Sequence, residues 1–321
     1  MPHDLRSRSC AAVTADVRAA SRDAAHGMLR VLPVASGDGA RAELMVAAPA
    51  SAVEPAAVLL WLPAMGVPAR HYLPLADALT HLGVATAIHE WRGIGSSDRR
   101  AGRQSNWGYR ELLEQDLDAS LALARTQWPD VPILVGGHSL GGQLAALLAA
   151  MHPEAFAGLV LVASGAPFWR AFPRGRLIRV AYGLAPLLAT LRGHLPGRRL
   201  GFAGNEARGV IADWARTGRT GRYTAAGMHV DLERLLQQLT LPVLGIRFVD
   251  DWLVPADSLD WLVGKLPRAP VTRQVLGAAD LAGQPPDHFA WMKAPGAVAQ
   301  SIAGWSPAGN GAFARSPQAD A

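Results

Sequence analysis

A serine hydroxyl is a poor nucleophile at neutral pH, so a serine that does chemistry must be held in an unusual setting beside a base. One stretch of this 321-residue chain offers such a setting. Val131-Pro-Ile-Leu-Val-Gly-Gly-His-Ser-Leu-Gly-Gly-Gln143 is an apolar run that breaks into Gly137-His138-Ser139-Leu140-Gly141 and continues as an alanine- and leucine-rich helical pattern. It reads as strand, sharp turn, helix. There G-x-S-x-G is a nucleophile elbow, with the serine in a strained backbone conformation and glycines where any side chain would collide with strand or helix. A bare pattern with two wildcards arises by chance in a glycine-rich chain. The strand before it and the helix after it make Ser139 the candidate nucleophile rather than a turn between two core elements.

A serine on such an elbow needs a histidine oriented by a buried carboxylate, and its partners follow in the chain order Ser, acid, His. Beyond the apolar run at 242–248 the sequence holds one histidine, His288, in Pro286-Asp-His-Phe-Ala-Trp291. The acid is sought in Leu244-Gly-Ile-Arg-Phe-Val-Asp-Asp-Trp-Leu-Val-Pro255, an apolar strand ending in two aspartates, with Pro255 placed to start a helix. Asp251, four residues before the proline, is preferred, and Asp250 stays open as the alternative. The other would cap the helix or hold the loop. Asp280 and Asp287 are weaker rivals. An acyl-transfer site also needs two N–H donors for its oxyanion. Leu140 follows the nucleophile, and Met65 lies in the loop Pro63-Ala-Met-Gly-Val-Pro-Ala-Arg-His-Tyr72 after the strand at 57–62.

These residues need a scaffold that brings distant loops together, and the patterning supplies one. Strands are predicted near 29–35, 42–48, 57–62, 84–89, 131–136, 158–163, 242–248 and 271–276. Helices fit near 71–82, 109–128, 139–152, 255–265 and 294–304. The alternation predicts an α/β fold, a mostly parallel eight-stranded sheet with an antiparallel edge and helices on both faces, whose site lies at the carboxyl ends of the strands. After the sixth strand the alternation stops. Residues 164–240 carry twelve arginines against four carboxylates, a net +8 in a chain whose total is +5. With proline, glycine and short helical patches but no strand series, this stretch reads as a helical cap inserted over the strand ends. The expected organisation is a domain over 28–305, with core 28–164 and 241–305 and cap 165–240. Residues 1–27 are expected to be a poorly ordered lead-in, and 306–321 a loose tail.

The chain resembles the α/β-hydrolases, nearest to bacterial serine hydrolases akin to monoglyceride lipases and serine aminopeptidases, over about residues 28–305. The resemblance rests on Leu62-Pro-Ala-Met-Gly-Val-Pro-Ala-Arg-His-Tyr72, Trp91-Arg-Gly-Ile-Gly-Ser-Ser97, the serine elbow, Gly193-His-Leu-Pro-Gly-Arg-Arg-Leu-Gly-Phe202, the Asp250-Asp251 pair with Pro255, and His288-Phe289. It implies the α/β-hydrolase fold and a triad of Ser139, Asp251 and His288, and says little about substrate. Two departures stand out. Pro63-Ala64 replaces the His-Gly of many relatives, and Asp287 stands where a glycine usually precedes the histidine.

Other chemistries fare worse. Gly93-Ile94-Gly95 lacks the third glycine of a dinucleotide loop, since Asp98 occupies that position, so no nicotinamide cofactor is expected. No His/Cys/Asp cluster shows metal-ligand spacing, so no metal is expected either. Cys10 is the single cysteine, which excludes an internal disulfide framework. Residues 1–25 lack an apolar leader, and the longest apolar segment, 177–191, is broken by Arg179 and Pro186. It is shorter than the ~20 residues a membrane span needs. A cytoplasmic protein with no nucleic-acid partner is expected; its basic residues are 29 arginines and only Lys265 and Lys293, a bias that codon composition alone could produce. The substrate expected is a small-molecule acyl ester or thioester. The cap's apolar patches suit an acyl chain, and its arginines suit a phosphate-bearing substrate such as an acyl-CoA or a lysophospholipid. Two other classes keep the same residues: an acyltransferase using the triad, and a non-catalytic binding protein on the same scaffold.

Overall fold

The computed structural model describes residues 28–50 and 54–305, so the expectations for 1–27 and 306–321 lie outside it. Eight strands build one sheet: β1 (Met28–Ala35), β2 (Arg41–Ala48), β3 (Ala57–Leu62), β4 (Val84–Ile88), β5 (Ile133–His138), β6 (Gly158–Val162), then, after an insert that holds the short β7 (His194–Pro196) and β8 (Asn205–Ala207), β9 (Val243–Phe248) and β10 (Val271–Leu276). Their spatial order is β1-β2-β4-β3-β5-β6-β9-β10, antiparallel at the β1-β2-β4 edge and parallel from there on.

The central strands read as unbroken apolar runs because both faces of the sheet are covered. Along β3 every residue is buried, and the side chains divide with period two. Val58, Leu60 and Leu62 enter the core on one face, and Ala57, Leu59 and Trp61 the core on the other. Residues 109–127 cover the first face as one helical rod, α1, wound as a π-helix over Leu112–Leu117. Beside it lies α2 (Leu140–Met151), whose first eleven residues are buried on every side. The opposite face carries a helix over Leu73–Thr80 and another over Gly296–Gly304. Each fully buried leucine contributes roughly 2–3 kcal/mol through the apolar area it removes from water.

Boundaries shift where local chemistry decides them. The strand expected at 131–136 runs two residues later, because Pro132 has no N–H for the ladder and the pairing continues to His138 opposite Val162. The insert departs further. It does contain helices, among them α3 (Gly175–Arg192), α4 (Arg208–Thr220) and α5 (Leu232–Gln238), but β7 and β8 form an antiparallel hairpin that was not expected. Strands of three residues carry no readable alternation.

The insert is fastened to the core by polar contacts. Fully buried Asp213 of α4 accepts hydrogen bonds from the N–H groups of Tyr109 (3.0 Å) and Ala226 (3.2 Å) and pairs with Arg216 at 2.7 Å. The Tyr223 hydroxyl reaches Gln143 of α2 at 3.2 Å, and Lys265 binds both oxygens of Glu233. Among the described residues no helix is long and apolar enough to cross a membrane.

Candidate active site

Ser139 joins β5 to α2 with φ 56° and ψ −119°, a conformation that side-chain-bearing residues rarely adopt. The glycines around it permit the approach. A Cβ on Gly137 would lie 2.5 Å from the Gly141 carbonyl carbon, and one on Gly141 would lie 2.0 Å from the Leu62 carbonyl oxygen. The elbow is thereby pressed against the end of β3, where the Met65 loop begins. The Ser139 carbonyl accepts from the N–H groups of Gly142 and Gln143 and from the Ser164 hydroxyl at 2.7 Å, which ties the elbow to the end of β6. Leu140, the first residue of α2, has no acceptor for its N–H within its own helix.

The loops after β9 and β10 meet behind the elbow. The Asp250 N–H donates to the Pro286 carbonyl at 3.0 Å, strapping the two loops together. This strap brings His288 against Asp251: Nδ1 lies 2.8 Å from Oδ2, both side chains being buried. The other oxygen of Asp251 accepts from the N–H groups of Leu253 (2.9 Å) and Val254 (3.0 Å), so the carboxylate is held from two sides. With Nδ1–H pointing at the carboxylate, Nε2 carries the lone pair of the His288 ring. The Asp250 side chain is exposed. Asp280 accepts from the Gly277 N–H, and Asp287 from the N–H groups of Phe289 and Ala290, so both aspartates hold loop backbone.

Beneath these residues lies an arrangement that sequence reasoning missed. The Tyr72 hydroxyl accepts from the Ala64 N–H at 2.9 Å and lies 2.8 Å from Nδ1 of His138. Burial pushes the Tyr72 phenol well above its ordinary range, so it keeps its proton, and that proton goes to His138. Burial, reinforced by the nearby His288, holds the His138 imidazole well below its ordinary range, so the ring is neutral with Nδ1 as acceptor. One phenol thus links the residue before Met65 to the residue before Ser139. The His138 ring centroid lies 4.7 Å from that of His288, and Trp291 packs edge-on against His138 while its indole N–H donates to the His288 carbonyl at 3.1 Å. Tyr72 stands within the loop motif, but nothing in its spacing says that it reaches across 66 residues of sequence to His138.

The Met65 loop also touches the insert. Gly66 has φ +77°, and a Cβ there would lie 2.1 Å from the Gly204 nitrogen, so the loop rests directly on the turn between β7 and β8. The Met65 side chain packs against Ala189, Leu195 and Ile211 of the insert. The Gly204 N–H in turn donates to half-buried Glu206 at 2.9 Å. Desolvation pushes the Glu206 carboxyl up to about 7, opposed by that hydrogen bond and by Arg198. Among the described residues no cluster of His, Cys, Asp or Glu has the arrangement of a metal site.

The chain has relatives of known kind. Residues 53–278 match the family described as "Serine aminopeptidase, S33". Monoglyceride lipase of Mus musculus is 32% identical over 91 residues, 28% of this chain and 29% of that protein. A pimeloyl-[acyl-carrier protein] methyl ester esterase of Nitrosomonas europaea is 35% identical over 152 residues, 42% of this chain and 59% of that one. The chain therefore matches less than two thirds of either curated relative. In structure it is similar to the thioesterase domain from the curacin biosynthetic pathway, with TM-score 0.54, 16% identity, and coverage of 85% of this chain and 98% of that one. That likeness and the strand order give the α/β-hydrolase fold, and the family match spans most of the sheet and the insert: the chain belongs to the serine aminopeptidase S33 family of hydrolases.

Proposed function

We propose that the protein hydrolyses a carboxylic ester or thioester through Ser139, His288 and Asp251 by way of an acyl-enzyme. The observation that carries this reading is the buried 2.8 Å contact between His288 Nδ1 and Asp251, strapped behind a serine at positive φ. His288 Nε2 takes the proton from Ser139 Oγ as the oxygen bonds to the carbonyl carbon. The carbonyl electron pair moves onto oxygen, where the N–H groups of Met65 and Leu140 receive it. The imidazolium, stabilised by Asp251, gives its proton to the departing alkoxide or thiolate. Water, deprotonated by His288, then attacks the acyl-serine, and the acid leaves as the proton returns to Ser139.

Residues 165–240 serve in this reading as the cap over the acyl site, and residues 28–164 with 241–305 as the catalytic core. Both curated relatives carry names for enzymes that cleave esters, which favours ester chemistry over peptide cleavage. The single cysteine fits a reducing, cytoplasmic setting. The test is covalent. A fluorophosphonate should label the protein and the label should map to Ser139; labelling that persists in Ser139→Ala would overturn the assignment.

A further inference from the structure

The β7–β8 hairpin of the insert has two faces, and the site just described uses one. Alternation along β7 turns Leu195 inward, onto Ile211 and Met65, and leaves His194 and Pro196 on the other face. There a cavity of about 430 Å³ opens, lined by Arg192, His194, Pro196, Arg198, Arg199 and Asn205. The register pairs Pro196 with Asn205, so both strands contribute to one wall. Its volume lies within the range of small-molecule sites, roughly 300–1,000 Å³.

Every charged residue of the lining is basic. Arg192, Arg198 and Arg199 border the cavity together with His194 and Asn205, and none of the three arginines has an ion-pair partner among the described residues. The carboxyl that bears on Arg198 is Glu206, whose Oε1 is engaged by the Gly204 N–H. Like charges gathered around a cleft focus a positive potential, and the planar guanidinium fork matches phosphate oxygens two at a time. Exposed Leu191, Leu200 and Phe202 adjoin the arginines in sequence, so an apolar chain attached to the anion would also find contacts.

The cavity is close to the proposed chemistry. Asn205 follows Gly204, which rests on Gly66, and Leu195, between two lining residues, packs on Met65. A group in the cavity is therefore separated from the proposed oxyanion loop by one hairpin. We propose that this cavity is an anion site that takes the phosphate or pyrophosphate group of the acyl substrate, the shared chemistry of acyl-nucleotide thioesters and lysophospholipids. The inference rests on the hydrolase reading for the word substrate, but not for the binding itself. Holding the anion would anchor the substrate remotely and direct its acyl carbonyl toward Ser139.

The test is calorimetric titration of the full chain with inorganic pyrophosphate, coenzyme A and glycerol phosphate, repeated on Arg198→Gln/Arg199→Gln and on Arg219→Gln/Arg222→Gln. The last variant removes the same charge elsewhere on the insert. Saturable pyrophosphate binding is expected, about tenfold weaker in the first variant and within about twofold of the parent in the second, and weakening as salt rises. Tighter binding of coenzyme A than of glycerol phosphate identifies the nucleotide as the source of the anion, and the reverse order a lipid headgroup. Failure of pyrophosphate to saturate, or equal loss in both variants, would overturn the site. Fluorophosphonate labelling of the same samples reads the hydrolase proposal separately: a labelled protein that binds no pyrophosphate loses the anion site alone, and an unlabelled one that binds it loses the triad alone.

Discussion

Asp250 and Asp251 are adjacent and chemically identical, yet the fold treats them oppositely: one carboxylate is exposed, while the other is buried against an imidazole and two N–H groups. Replacing Asp251 by Asn should therefore lower kcat for a simple ester by about 10³–10⁴, because the carboxamide favours the wrong imidazole tautomer, whereas Asp250→Asn should stay within about twofold. Steady-state kinetics on a p-nitrophenyl ester separates the two. Tyr72 gives a subtler case, since its hydroxyl touches neither the proposed nucleophile nor the proposed base. Tyr72→Phe leaves the Ala64 N–H and His138 Nδ1 unsatisfied, so the proposed oxyanion loop and the serine turn lose their common reference. A fall in kcat of about tenfold with KM within about twofold is expected, as a positioning residue requires. A urea midpoint unchanged from the parent would show that the fall in kcat does not come from loss of folded protein. Ser139 and Asp251 stand out in the sequence at the ends of apolar runs, and His288 as the single histidine beyond residue 248; the fold brings Asp251 and His288 into contact. Tyr72 and His138 do not stand out, because their meaning lies in a contact between two patterns.

At the scale of elements, the central sheet follows from patterning alone, since apolar runs of β3, β5 and β6 have no other way to be covered than by helices on both faces. The insert does not. Its helices and its three-residue strands are placed by their neighbours, through Asp213 on Tyr109 and Ala226 and through Gly204 on Gly66. The sequence shows its arginines and its lack of long strands, but no pattern encodes where a buried aspartate will find two distant N–H groups. Asp213→Ala strands those groups and frees Arg216 from its partner. A loss of about 2–4 kcal/mol is expected from urea unfolding, concentrated in the insert. Hydrogen exchange should then rise over 205–226 before it rises in the sheet. Uniform exchange across the chain would show that insert and core unfold as one unit.

For the molecule as a whole, a buried histidine and a half-buried glutamate set opposing responses to pH. Burial lowers His89 to about 4 from an ordinary 6.5, so folding favours its neutral ring and stability falls as pH drops through that window. Glu206, at the junction of insert and core, is raised to about 7 from an ordinary 4.5, so its contribution is fully present below pH 4.5 and lost as pH rises to 7. Each displacement corresponds to roughly 3 kcal/mol, with opposite sign, and between pH 4.5 and 6.5 the two largely cancel. Glu206→Gln keeps an oxygen acceptor for the Gly204 N–H and removes the titration. The variant should match the parent near pH 4.5 and exceed it by about 1–3 kcal/mol at pH 8, the lower end reflecting water that still reaches the half-buried carboxyl. Thermal unfolding of both proteins across pH 4.5–8 reads that difference directly. A gap that is constant with pH would mean that the Glu206 carboxyl stays ionised throughout and that Arg198, rather than burial, governs the junction.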